Sequence, residues 1–313
     1  MSKHKINGFS MNYTVRGEGP DLILVHGLSG DLASWHPSVV GRLAESHRVT
    51  VPDLRGHGRS GMPASGYTTR DLASDLTGLM DHLGVHKAHL VGHSFGGAVA
   101  LHTAVLHPER VAGLVVADAR IRSLQKGQGV EQWAHWQRVR EWLGRHGVEL
   151  PEHSADPDLG LLRSLAEARM AGRLDGLTAE PFFIPFSRGG AGRAERWLRL
   201  VDKTTAAEDY KAVSGLTPEV IRHVASPVLA LYGGLSHCLP TQSELAEVLP
   251  DCTTATIKGV GHFHPLAAPD AFVEHVAGFL RRVSRRPEAK PIRAPSEPLP
   301  GGEERPRPRV ADL

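Results

Sequence analysis

The sequence is poor in cysteine. Cys238 and Cys252 are the only two among 313 residues, too few for a disulfide framework and too far apart for a C-x-x-C site. A reducing, intracellular setting is the expectation. Charge of one sign is lacking too: 36 basic side chains against 34 acidic leave a formal +2, which gives nucleic acid no field to follow. No uncharged apolar run approaches the roughly 18 residues of a membrane span. The opening MSKHKINGFSMNY has no apolar stretch of the kind a secretory leader carries. A cytoplasmic protein with neither nucleic-acid nor membrane partners is expected. Internal repeats are missing as well.

What is present is enough apolar residue, 41%, for a sizeable core. KINGFSMNYTVRG alternates loosely around Asn7-Gly8 and predicts a hairpin. Short apolar runs follow: LILVH (22–26), VTVPD (49–53), AHLVGH (88–93), GLVVAD (113–118), PVLALYG (227–233) and TATIKG (254–259). Continuous runs of this length fit strands covered on both faces. Helical patterns lie between several of them. TTRDLASDLTGLMDHLG, for instance, puts Leu72, Leu76, Leu79 and Leu83 on one face. Such alternation predicts a doubly wound, mostly parallel α/β sheet.

One connection breaks the rhythm. Residues 119–220 contain no clear strand but several helical stretches, among them EQWAHWQRVREWLGRHG and AGRAERWLRLV. A helical cap is expected there, inserted before the penultimate strand, with 1–118 and 221–283 forming the core. Four of the five tryptophans (Trp133, Trp136, Trp142, Trp197) fall in this insertion, as do Phe182, Phe183 and Phe186. Most are expected to be the insertion's own core. Trp133, Trp136 and Phe183 are the candidates for a substrate-facing wall. From Ser284 onward Pro, Arg and Glu dominate, so 284–313 is expected to be a disordered tail.

The strongest chemical signal is Gly92-His93-Ser94-Phe95-Gly96, directly after an apolar strand and directly before a helix. In that context G-x-S-x-G describes a sharp turn that lifts a serine hydroxyl above the sheet edge, with glycines relieving the crowding beside it. Ser94 is the candidate nucleophile. His26-Gly27 ends an earlier strand, so the next N–H, that of Leu28, and the N–H of Phe95 are the candidate oxyanion donors. His26 itself is expected to pin its loop.

These segments resemble the α/β-hydrolase superfamily from about residue 5 to 283. LVHG (24–27), PDLRGHGRS (52–60), GHSFGG (92–97) and GVGHFHPLAAPDAF (259–272) carry the resemblance, in order. It implies that the general base is His262, preferred over His264, and that His57 belongs to a structural turn. It also implies a carboxylate in the turn of ALYGGLSHCLP, where this chain has Leu235, Ser236, His237 and Cys238. A serine cannot stabilise an imidazolium as a carboxylate does, so Ser236 is expected to be dispensable. Asp118, at the end of GLVVAD, is the candidate acid, reaching the same histidine from a neighbouring strand end. Its competing reading is a cap for the loop that enters the insertion. His237, His262 and His264 lack the helical i,i+4 spacing of a zinc enzyme, and no metal or cofactor is assigned.

The expected chemistry is acyl transfer through Ser94, on an ester, lactone or thioester of a fairly large apolar small molecule, by a monomer or homodimer. Three rivals stand beside it. A carbon–carbon bond hydrolase would use the same residues. A cofactor-free dioxygenase would use His262 and Asp118 alone. A ligand receptor would bind without turnover.

Overall fold

Asn7 (φ 45°) and Gly8 (φ 87°) both adopt left-handed backbone, the conformation a two-residue hairpin turn demands. They join β1 (Ser2–Ile6) to β2 (Phe9–Arg16) as an antiparallel pair. The computed structural model describes residues 1–285 apart from 36, 128, 151–155, 175–184 and 187–190. The remaining strands are β3 (Asp21–Val25), β4 (Arg48–Pro52), β5 (Ala88–His93), β6 (Val111–Ala117), β7 (Val228–Gly233) and β8 (Cys252–Ile257). They form one sheet in the order β1-β2-β4-β3-β5-β6-β7-β8, parallel from β4 to β8. The order reverses between β3 and β5, and the crevice at such a switch point is where open α/β sheets place their ligands.

The apolar runs are continuous because both faces are covered. Alternate residues of a strand point to opposite sides. Ile23, Val25, Leu90, Leu114 and Val116 therefore pack with α2 (Thr69–His82), α3 (Phe95–Leu106) and α9 (Leu239–Val248). Leu22, Leu24, Val91, Val115 and Leu231 pack on the other side with α1 (Pro37–Leu43) and α11 (Pro269–Ser284). Thr68 starts α2 with a capping box, its hydroxyl accepting from the Asp71 N–H. Leu72, Leu76 and Leu79 form the buried stripe of that helix, as the sequence spacing predicts.

Between β6 and β7 the described residues are helical, with no strand among them. The helices are α4 (Trp136–Arg145), α5 (Pro157–Met170), α6 (Gly192–Lys203), α7 (Ala206–Asp209) and α8 (Pro218–Ile221). Leu143, Leu165, Trp197, Leu200 and Tyr210 form a separate core, which Tyr67 joins from the other side. Trp197 thus belongs to the insertion's interior, as expected for most of its aromatics. Phe182 and Phe183 lie outside the described residues. A one-turn α10 (His264–Ala267) precedes α11, which continues through Ser284, the first residue of the expected tail; residues 286–313 also lie outside the described set. No helix among the described residues is long and apolar enough to cross a membrane.

Candidate active site

Four neighbouring strand ends build the site. Val25 pairs with Gly92, His93 with Ala117, and Ala117 with Leu231, so β3, β5, β6 and β7 end side by side. Just past β5, Ser94 turns to φ 58°, ψ −128°, a conformation that L-residues rarely hold. Backbone bonds fix it there: Ser94 N–H donates to Ala117 O (2.8 Å), and Gly97 N–H donates to Ser94 O (2.8 Å). The glycines are steric requirements. A Cβ on Gly92 would sit 2.2 Å from Gly96 O, and one on Gly96 would sit 2.3 Å from Val25 O.

Ser94 Oγ lies 2.9 Å from His262 Nε2, and His262 Nδ1 lies 2.9 Å from Asp118 Oδ1. A carboxylate only accepts, so Nδ1 carries the proton and Nε2 is left to accept from the serine. Asp118 is fully buried at the tip of β6, itself at φ 51°. Its other oxygen accepts from Gly233 N–H at 2.7 Å. Burial alone would push this carboxyl up, but the His262 hydrogen bond and charge, with the Gly233 N–H, bring it down to about 2. The geometry brings together the three residues that the sequence put forward for this chemistry.

Ser236 departs from expectation. Its hydroxyl, buried, donates to the same Asp118 Oδ1 that His262 uses, while its oxygen accepts from Cys238 N–H at 3.0 Å. The residue in the turn after β7 therefore grips Asp118 directly. Dispensability does not follow from such a contact, since removing the hydroxyl leaves a buried charge with one donor fewer.

Four other histidines near the site are held by their own contacts. His26 Nε2 accepts from Leu54 N–H (3.0 Å) and Nδ1 faces Gly27 O (2.8 Å), tying the β3 and β4 loops together. His57 Nδ1 faces Arg55 O at 2.9 Å. His264 sits fully buried behind the acid, Nε2 3.6 Å from Asp118 Oδ2, and burial holds its pKa down to about 4. His93 Nε2 contacts His262 O at 2.8 Å, and burial lowers it to about 3. Asp53 passed unnoticed in the sequence. It accepts from Leu32 N–H, Asn12 Nδ2 and Arg59 N–H at 2.7–2.8 Å and so clamps the loop that follows Leu28. The signal was available: an aspartate closing an apolar strand needs several donors.

Leu28 and Phe95 N–H donate to no protein acceptor among the described residues. Both residues border, with Ser94, a cavity of about 230 Å³. Trp133, Trp136, Val139, Leu162 and Phe186 supply its far wall from the insertion. Two of the three proposed wall aromatics are therefore at the cavity; Phe183 is not among the described residues.

A family model described as alpha/beta hydrolase fold matches residues 20–147. A crystal structure of an esterase from a Rhodococcus strain superposes with a TM-score of 0.64 at 26% identity, covering 90% of this chain and 98% of that one. The chain belongs to the α/β-hydrolase superfamily. Among curated relatives it is 30% identical to a dihydrolipoyllysine-residue acetyltransferase component of an acetoin cleaving system from Pseudomonas putida, over 86% of this chain and 66% of that protein. A soluble epoxide hydrolase from a Corynebacterium strain is 39% identical over 113 residues, 36% of this chain and 39% of its own length. In this chain Asp118 follows β6, and Ser236 stands in the turn after β7.

Proposed function

We propose that this α/β-hydrolase is a serine hydrolase that cleaves an ester, lactone or thioester of a fairly large apolar molecule through an acyl-enzyme. The observation that carries the reading is the continuous relay from Ser94 Oγ through His262 to Asp118, ending beside two amide donors under an apolar wall. Ser94 Oγ attacks the carbonyl carbon as its proton passes to His262 Nε2. Asp118 stabilises the resulting imidazolium, and the Leu28 and Phe95 N–H groups hold the oxyanion. His262 then protonates the leaving oxygen or sulfur, and a water activated by the same nitrogen releases the acid. Residues 1–118 and 221–283 carry the chemistry in this reading, and 119–220 form the cap that selects the acyl group. Serine at position 94 disfavours epoxide opening, which in relatives uses an aspartate there.

The test is labelling with a fluorophosphonate, followed by a panel of p-nitrophenyl esters, lactones and acyl-thioesters. The adduct is expected on the peptide containing GHSFGG and absent in Ser94→Ala. An unlabelled protein that still turns over an ester would sink the mechanism.

A further inference from the structure

Beside the relay, three side chains of different chemistry converge. His237, Cys238 and His262 each offer one donor atom, and these atoms lie within 4.8 Å of one another. His237 and Cys238 stand on the turn after β7 and His262 on the loop after β8, and all three border the cavity. Cys238 Sγ is 3.7 Å from His262 Nδ1. Sulfur and nitrogen held by one tetrahedral zinc, at about 2.3 and 2.05 Å, stand about 3.6 Å apart. That edge of a coordination sphere is already formed. The His237 ring stands with its centroid 5.0 Å from that of His262, a spacing that two imidazoles on one tetrahedral ion also show, and its donor atom is the third of the set. Asp118 Oδ1, 2.9 Å from the same Nδ1, stands ready as a fourth.

We propose that His237, Cys238 and His262 form a reversible site for a borderline-soft divalent cation such as zinc, and that its occupation switches the hydrolase off. The mixed nitrogen and sulfur donors select such an ion over magnesium or calcium, which prefer oxygen. The chemistry is a tautomer change. The ion replaces the proton on His262 Nδ1, and that proton moves to Nε2. The Cys238 thiol proton leaves to solvent as the sulfur–metal bond forms. With Nε2 now carrying hydrogen, His262 donates where it must accept, and it cannot take the proton of Ser94. Asp118 meanwhile faces a metal and no longer orients the imidazole. The site rests on the geometry alone; the loss of activity rests on the role proposed for His262.

The experiment uses the full chain and two readouts. Cobalt(II) serves as the spectroscopic probe, because a thiolate ligand gives it a near-ultraviolet charge-transfer band. The band is expected with the native protein and with Cys252→Ser, and lost in Cys238→Ser. Zinc is expected to inhibit ester hydrolysis reversibly, with EDTA restoring the rate and magnesium or calcium leaving it unchanged. Cys238→Ser and His237→Gln should each weaken inhibition at least about tenfold, measured against each variant's own metal-free rate. A cobalt band without any ester turnover would support the site while removing the proposed function. No band dependent on Cys238, or equal zinc inhibition in native protein and both variants, overturns the proposal.

Discussion

Ser94 and Asp118 hang from strand ends whose backbone is bonded to the next strand, whereas Trp136, Val139 and Leu162, across the cavity, hang from helices of the insertion. Ser94 N–H donates to Ala117 O, and Asp118 N–H donates to Leu231 O at 3.0 Å, so each residue is registered by the sheet itself. The insertion is fastened differently. Arg120 pairs with Asp158 and Arg122 with Asp156 at 2.5 Å inside it, while Arg193 pairs with Asp31 at 3.0 Å and Thr205 N–H donates to Ala64 O at 3.0 Å across to the core. Arg196 reaches the carbonyls of Gly56 and Ser60. Backbone ladders leave little freedom, while ion pairs can be weakened singly and respond to salt. On the mechanism proposed above, the reacting groups stand on the stiffer side and the substrate-facing wall on the more adjustable one.

The sharpest way to break that contrast is Asp118→Asn. The amide keeps the shape but loses the charge that stabilises the imidazolium, and kcat should fall by about two to four orders of magnitude with the fold intact. Combining it with Ser236→Asp should restore part of the rate, since that turn already touches Asp118. A near-normal rate in the single variant would place the acid elsewhere.

Ser236→Ala comes next. Losing a buried hydrogen bond to a charged group is worth about 1.5 kcal/mol, so kcat should drop roughly tenfold while KM stays put. Ser236→Thr keeps the hydroxyl and should recover most of the loss. If alanine and threonine behave alike, Ser236 does not position the acid. The smallest effect belongs to the insertion. Arg193→Ala removes a partly exposed pair worth about 0.2–1 kcal/mol, so KM for a long-chain ester should rise no more than about fivefold. A collapse of kcat in that variant would mean that the insertion sets the chemistry as well as the fit.

Much of this layout is legible in the sequence because it is local. Each apolar run fixes a strand, and Gly92 through Gly96 encode their own turn. Asp118 is a candidate because it closes an apolar run while the turn of ALYGGLSHCLP holds no carboxylate. The hold of Ser236 on Asp118 is missed for the opposite reason. Its contact with Asp118 depends on the pairing of β6 with β7 and on the path of the turn beyond, and neither is written in either segment. The cavity wall is only half legible for a related cause. Helical spacing groups aromatics onto faces, but it does not say that Trp197 turns inward while Trp133 and Trp136 line the cavity.

The left-handed backbone at Ser94 and Asp118 ties heat tolerance to reactivity. Conformations of this kind cost about 1–3 kcal/mol each where the residue is ill suited to them. Serine at φ 58°, ψ −128° is such a case, and aspartate at φ 51° a milder one. Glycine would relieve the backbone at either place and, on the proposed mechanism, abolish the chemistry. Selection for a hardier fold and selection for a working enzyme therefore pull in opposite directions at these two positions, and the rest of the core must supply the stability they give up.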